Sequence, residues 1–115
     1  MFECGVPADA KVPAPHSHDA FEETIYGLDG ACTWTIDGIK RELRRGDSAC
    51  IARGQIHGFE NHGSADAKFL AIASPGVFGP EYFQEIGEVL AAAGGGPPNP
   101  AAIDAVMRRH GLAPA

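Results

Sequence analysis

Histidine and glutamate side chains in the first half of this 115-residue chain are its strongest candidates for chemistry. His16 and His18 are two residues apart, so in an extended segment both imidazoles project from the same face. Glu22 and Glu23 follow, and His57 has glycine neighbours that let the backbone bend. Imidazoles and a carboxylate at such spacings can bind one metal ion, but a lone histidine pair is weak evidence and taken alone favours a solvated surface. The spacing by itself leaves both alternatives open.

The choice between the two glutamates depends on the strand that they enter. Glu23 shares a face with Ile25, two residues later in the same apolar run. Glu23 and His18 reach one common face only if residues 19–21 turn the chain between two strands. Either glutamate remains a candidate on this evidence.

Two spaced motifs in the chain resemble those of the cupin superfamily. The first contains His16-Ser17-His18, four residues, Glu23, six residues and Gly30. The second contains Gly46, five residues, Ala52, one residue, Gly54, two residues, His57, three residues and Asn61. The motifs span residues 16–61. The sequence departs from the usual pattern at Ala52, where proline is common, and at Ala10, where glycine is common, but neither position is a ligand position.

The resemblance implies a small antiparallel β-barrel of the jelly-roll type, with a metal ion bound by His16, His18, Glu23 and His57. It favours Glu23 over Glu22 through the spacing to Gly30. Three imidazoles and one carboxylate suit Fe²⁺, Mn²⁺, Ni²⁺, Cu²⁺ or Zn²⁺ and disfavour Ca²⁺ and Mg²⁺. Four protein ligands of an octahedron leave two positions for a substrate or for oxygen.

Small cupins with a helical tail resemble quercetinase-like dioxygenases, which implies a dioxygenase-like oxidoreductase acting on a small aromatic or enolic substrate. Glu23 is then also a candidate catalytic base. An isomerase, a decarboxylase or a lyase fits the same ligands, and so does a cupin that only binds a sugar or another small metabolite. Oxygen uptake and the identity of the metal distinguish these alternatives.

Three apolar residues are predicted to line the substrate pocket. Ile25 and Phe59 are each two residues from a candidate ligand, so they share its face. Trp34 lies on the apolar face of its own strand and is expected in the core, which in a small barrel can also form the pocket wall. Other polar residues have structural interpretations: His62 and Asn61 lie in a turn, and His110 ends a helical stripe.

The elements that position these residues fall into two regions. Residues 1–74 contain short strand-like runs separated by glycine, aspartate and proline, and they predict the all-β barrel. The clearest signal is Cys32–Ile36, an Asp37-Gly38 turn and a return strand over Ile39–Arg44, which together predict a type I′ hairpin. Residues 75–115 predict a tail of two short helices joined by a Gly/Pro linker and packed on the barrel or on a partner.

Composition and charge exclude some classes of partner and predict others. Nine basic and fifteen acidic residues give a formal charge of −6, which disfavours nucleic acid. The apolar runs are too short to cross a membrane, and the odd number of cysteines, three, favours a cytoplasmic protein with reduced thiols. A homodimer with a small-molecule substrate is expected. Little chain precedes His16, so the barrel is expected to be abbreviated or completed at that edge by a partner subunit.

Overall fold

Short strands separated by tight turns make up most of the chain, as the turn-rich sequence predicts. The computed structural model describes residues 1–10 and 14–115, which contain nine strands and two helices. The strands are β1 (Phe2–Val6), β2 (His16–His18), β3 (Glu22–Asp29), β4 (Ala31–Ile36), β5 (Ile39–Arg44), β6 (Ser48–Ile51), β7 (His57–Glu60), β8 (Ala67–Ser74) and β9 (Leu112–Pro114). The helices are α1 (Glu81–Ala92) and α2 (Pro100–Arg109).

The hairpin β4–β5 is confirmed. Asp37 and Gly38 have positive φ angles of 48° and 81°, which is the geometry of a type I′ turn. Ile36 stands opposite Ile39 across the turn, so the register follows directly from the two turn residues. The Asp37 carboxylate also accepts a hydrogen bond from the Ile56 amide, which joins this turn to the segment leading to β7.

The strands form two antiparallel sheets rather than one closed barrel within the described residues. One sheet has the order β1-β8-β3-β6 and the other β5-β4-β7-β2-β9. The expected barrel is therefore corrected in one respect: it is not closed. Two facing sheets with these crossovers still fit a jelly-roll sandwich. The two sheets enclose a shared core, where the ring of Phe69 from β8 contacts Trp34 and Phe59 from the opposite sheet.

Helices α1 and α2 pack against the same core. Asn99 caps α2 by accepting hydrogen bonds from the amides of Ala101 and Ala102, a contribution of about 1 kcal/mol. The helices bury Tyr82 and Ile86 of α1 and Ile103, Val106 and Met107 of α2. The chain itself therefore covers much of both apolar stripes, and Phe83, Val89 and Leu90 of α1 remain half-buried.

The sequence analysis did not predict strand β9. Gly111 has a positive φ of 77°, which turns the chain out of α2 and into β9. Strand β9 pairs with β2 in antiparallel register, with Leu112 opposite His18 and Pro114 opposite His16. The chain's own residues therefore occupy the sheet edge that was expected to be missing or supplied by a partner.

None of the described helices has the length and apolar character needed to span a bilayer.

Cys4, Cys32 and Cys50 are all free thiols.

Candidate metal centre

The candidate ligands come from both sheets and meet between them. Strands β2 and β7 are neighbours in one sheet, and His16 stands opposite His57. The chain bends after β2 and crosses to β3 in the other sheet, where Glu23 faces back toward the histidines. The turn that residues 19–21 had to make is therefore a crossing between sheets. It brings the imidazole of His18 and the carboxylate of Glu23 together.

Three of the four predicted ligands form a compact group. Ligand atoms of His18, Glu23 and His57 all lie within 4.8 Å of one another, and the three residues are buried. Glu23 Oε2 is 3.3 Å from His18 Nε2 and 3.5 Å from His57 Nε2. A transition metal about 2.1 Å from each ligand holds two neighbouring ligand atoms about 3.0–3.4 Å apart. The group therefore fits a metal ion.

His16 lies at the margin of this group. Its ring centroid is 4.7 Å from that of His57 and 6.4 Å from that of His18, and its side chain is buried. It is outside the cluster of described residues whose ligand atoms meet within 4.8 Å. The structure therefore brings three predicted ligands together and places the fourth beside them.

Backbone hydrogen bonds fix the orientation of all three imidazoles. The Nδ1 atoms of His16, His18 and His57 lie 2.9–3.0 Å from the carbonyl oxygens of Ala14, Phe21 and Gln55. A carbonyl only accepts, so each Nδ1 carries the proton in the neutral ring, and each Nε2 keeps its lone pair. This is the arrangement that holds histidines ready to bind a metal through Nε2.

The charge at the site is concentrated on Glu23. Burial raises the pKa of the Glu23 carboxyl, but His18 and His57, in the protonated form that donates from Nε2, outweigh burial and lower this pKa to about 2. Burial, and then the neighbouring His57, lowers the pKa of His16 to about 4. At neutral pH the site therefore offers an ionised carboxylate beside a neutral imidazole of His16.

Glu22 and Glu23 have opposite surroundings. Glu23 is buried between the sheets, whereas Glu22 is exposed and its carboxylate lies 4.0 Å from the guanidinium of Arg53. This is the alternation expected along a strand with one buried face.

His57 Nε2 is a buried atom without a hydrogen-bond partner among the described residues. Its 3.5 Å contact with Glu23 lies at the outer limit of a hydrogen bond. The proton on Nδ1 is donated to the backbone carbonyl of Gln55. The lone pairs of His57 Nε2 and of the Glu23 carboxylate therefore face each other unless a cation lies between them. A bound metal ion satisfies both atoms.

Aromatic side chains from the connection between β2 and β3 and from the C-terminal region cover the site. Phe21 stacks on His18 with ring centroids 3.8 Å apart, and Phe78 stacks on Phe21 at 5.0 Å. Tyr82 of α1 packs edge-on against His16 at 6.0 Å. Burial, and then the Glu23 carboxylate, raise the pKa of the Tyr82 phenol above its ordinary value.

This aromatic cover was not predicted, because Tyr82 has the periodicity of any residue in an apolar packing stripe of a helix. One signal was available: a tyrosine in an otherwise apolar stripe brings a hydroxyl that needs a partner.

The predicted pocket residues are all buried. Ile25 lies two residues from Glu23 on the inward face of β3, and Phe59 lies two residues from His57 on β7. Trp34 stands opposite Phe59, with ring centroids 4.9 Å apart. The three residues belong to the core, and their contact with a substrate stays a prediction.

The remaining histidines lie outside the group. His62 is exposed and pairs with Glu60 at 2.7 Å. His110 caps the end of α2 and bonds Glu85 of α1. Asn61 donates to the carbonyls of Val6 and Ala65, as expected for a turn residue.

Comparison with known proteins identifies the family. A family model described as a cupin domain matches residues 2–73. A cupin protein from Bacteroides fragilis superposes with a TM-score of 0.58 and 34% identity, covering 67% of each chain. A predicted oxalate decarboxylase from Thermotoga maritima superposes with a TM-score of 0.54 and 27% identity, covering 62% of this chain and 61% of that chain.

A curated relative is also similar over part of its length. The pectin degradation protein KdgF of Dickeya dadantii is 31% identical over 58 residues, which are 50% of this chain and 53% of that protein. The chain spans 53–59% of the length of the curated relatives that it matches. The family model covers more than half of the chain, and the two sheets and the ligand group agree with it. The chain therefore belongs to the cupin family.

Proposed function

We propose that this cupin is a metal-dependent enzyme that acts on a small substrate through a carboxylate or enolate oxygen. The observation that carries the proposal is the convergence of His18, Glu23 and His57, with histidine Nδ1 atoms fixed by backbone carbonyls and Nε2 lone pairs facing a buried carboxylate. Fe²⁺, Mn²⁺, Ni²⁺, Cu²⁺ and Zn²⁺ suit this donor set.

A bound metal ion supplies Lewis-acid polarisation of a substrate oxygen. The chain's own residues supply the rest. His18, Glu23 and His57 hold the ion, His16 lies beside it as a fourth imidazole, and the aromatic cover excludes water.

The low pKa of Glu23 bears on its role. A general base works best when its pKa lies near the operating pH, and the Glu23 carboxyl has a pKa of about 2. This favours Glu23 as a metal ligand over Glu23 as the proton acceptor.

Non-oxidative chemistry is the better-supported reaction class. Isomerisation, decarboxylation and elimination require only polarisation of an oxygen, and the named relatives include a pectin degradation protein and a predicted oxalate decarboxylase. The dioxygenase expected from the sequence is the second candidate, and the histidine-rich donor set, which suits redox metals, favours it.

Metal analysis followed by assays with defined metals tests the proposal. The protein is stripped with a chelator, reloaded separately with Zn²⁺, Mn²⁺, Ni²⁺ and Fe²⁺, and supplied with oxalate, pectin-derived sugar acids or phenolic enols. Turnover with Zn²⁺ and no oxygen uptake supports non-oxidative chemistry. Oxygen uptake confined to redox metals supports the dioxygenase.

Two histidine variants provide a matched comparison. His57→Ala removes a buried candidate ligand, and His62→Ala removes an exposed histidine five residues later. We expect loss of metal in the first variant alone. A wild-type protein that retains no metal under any loading condition contradicts both enzyme proposals and leaves a metabolite- or sugar-binding cupin.

The homodimer and the cytoplasmic location also remain proposals. Exposed Ile72 on the outer face of β8 is the type of residue that an interface between sheets buries. Sedimentation at micromolar concentration tests the dimer, and a monomer there contradicts it.

A further inference from the structure

Tyr82 of α1 presents a buried and unpaired hydroxyl beside the candidate metal centre. Its side chain is 0% exposed, and its Oη has no hydrogen-bond partner among residues 1–10 and 14–115. Burying a hydroxyl without a partner costs free energy comparable to a lost hydrogen bond. A partner from outside the described chain is therefore expected.

The surroundings of Tyr82 indicate where this partner lies. The ring is edge-on to His16 on one side, with centroids 6.0 Å apart, and edge-on to His110 on another at 5.8 Å. The Nε2 atom of His110 is already bonded to Glu85. Phe78 and Phe83 enclose the ring elsewhere. Besides burial, the Glu23 carboxylate raises the pKa of the Tyr82 phenol, so the candidate metal centre is a polar neighbour of this residue, and it contains another unpartnered atom, His57 Nε2.

Three buried side-chain atoms lack partners within the described part of the chain: Trp34 Nε1, His57 Nε2 and Tyr82 Oη. The Trp34 ring packs on Phe59 in the apolar core. His57 and Tyr82 instead share a neighbour, because both rings contact His16. A metal ion bound at His57 would partner its Nε2 atom, and an oxygen ligand on that ion would offer the Tyr82 hydroxyl an acceptor.

We propose that the Tyr82 hydroxyl donates a hydrogen bond to a small oxygen ligand held at the candidate metal centre, either water or a carboxylate or enolate oxygen. This inference rests on the proposed metal-dependent function. A phenol has an ordinary pKa of about 10, so the hydroxyl carries its proton at neutral pH and can donate. Phenylalanine would fill the same space without this donor, so Tyr82 selects for ligands that accept a hydrogen bond.

Two tyrosine variants test this role, since the chain contains two tyrosines. Tyr82→Phe removes the buried hydroxyl. Tyr26→Phe makes the same change on the exposed face of β3, the strand that also carries Glu23. Co²⁺ affinity is measured by visible absorption, and acetate is then titrated into each Co²⁺-loaded protein.

We expect Co²⁺ to bind all three proteins with Kd values within about twofold, because Tyr82 is not a ligand. The acetate Kd should rise about tenfold in Tyr82→Phe alone, the effect of losing one hydrogen bond. An unchanged acetate Kd, or an equal change in Tyr26→Phe, overturns the proposal. Loss of Co²⁺ binding in Tyr82→Phe alone also overturns it, because the residue would then support the metal itself. A wild-type protein that fails to bind Co²⁺ contradicts the proposed function, and this inference fails with it.

A second measurement does not require Tyr82→Phe to fold. In Tyr26→Phe, Tyr82 is the one remaining tyrosine, so a ¹³Cζ-tyrosine label gives a single assignable NMR signal. With Zn²⁺ bound, acetate should shift this signal as the phenol forms its hydrogen bond. No shift at an acetate concentration that saturates the Co²⁺ protein overturns the proposal.

Discussion

The two strands that carry the first-motif ligands are held in place by different parts of the chain. Strand β3, which carries Glu23, has eight residues and pairs with β8 along most of its length and with β6 over residues 23–26. Strand β2, which carries His16 and His18, has three residues. It pairs with β7 only at His16, within the described residues, but with β9 along its whole length.

This difference divides the candidate site into two halves. The position of Glu23 is a property of a central sheet strand. The histidine pair depends on the C-terminal segment, which also fixes the chain before β2 through a hydrogen bond from the Ala115 amide to the Pro15 carbonyl. Residues far from both motifs in sequence therefore determine where two of the candidate ligands lie.

Removal of the charge on β3 should have the largest effect on metal binding. Glu23→Gln keeps the shape of the side chain but removes the negative charge between His18 and His57. Metal affinity should fall more than about 100-fold, which exceeds the loss typical of residues that only hydrogen-bond to a metal ligand. Competition with a chromophoric chelator measures this. The adjacent, exposed Glu22→Gln should change affinity by less than about twofold. Equal losses in the two variants would show that the carboxylate of β3 is not a ligand.

Deletion of residues 112–115 should have the next largest effect. The deletion removes the partner of β2 but leaves both neighbours of β3, so metal affinity should fall about 10–100-fold while the circular dichroism spectrum remains that of a β protein. A melt without metal checks folding. Unchanged affinity in the folded deletion variant would show that β7 alone positions the histidines.

A single backbone hydrogen bond should have a smaller effect. Because Ala115 and Pro15 are joined by a hydrogen bond, His16 and Pro114 form a non-hydrogen-bonded pair, and the next pair, Ser17 and Ala113, exchanges hydrogen bonds. Ala113→Pro removes one donor and should weaken metal binding about tenfold. Ala113→Ser keeps the amide at this exposed position and is the control. If both variants bind metal equally, the hydrogen bonds between Ser17 and Ala113 do not determine where the histidines lie.

The ion pairs of the tail should have the smallest effect. Hydrogen bonds from His110 and then Arg109 lower the pKa of Glu85 below its ordinary value of 4.5. A lowered folded-state pKa stabilises the fold above the ordinary value, and this stabilisation is lost as the pH falls through the folded-state pKa. Glu85→Gln should therefore lower Tm slightly at about pH 7 and low salt, and the difference should shrink in acid, as the pH falls below 4.5. A Tm difference that persists in acid would show that the substitution acts through packing and not through the charge of Glu85. Calorimetry at both pH values measures it.

Local sequence signals predicted the regions that local interactions determine. The Asp37-Gly38 turn specified a hairpin because both residues tolerate positive φ. The resemblance to the cupin motifs implied four ligands, and three of these side chains converge in the structure. Asn99 followed by Pro100 is a local signal of the same kind, because asparagine caps α2 and proline suits its first turn.

The features that the sequence did not predict depend on distant parts of the chain. Leu112–Pro114 is too short to show a strand pattern and becomes a strand because β2 offers it a free edge. Tyr82 has the periodicity of any buried helical residue, and its place beside His16 follows from how α1 docks on the sheets. Closure of the barrel likewise depends on pairings at sheet edges that no local pattern specifies.

The pairing of β2 with β9 also has a kinetic consequence. It joins residues about 100 positions apart, so the entropy of closing this loop opposes it more than it opposes the β4–β5 hairpin. Strand β9 also leaves the ribosome after every other described strand. We expect the histidine strand to become ordered late, which pulsed hydrogen exchange at the Ser17 amide can measure. A metal ion that arrives early in folding would meet Glu23 before it meets a finished site.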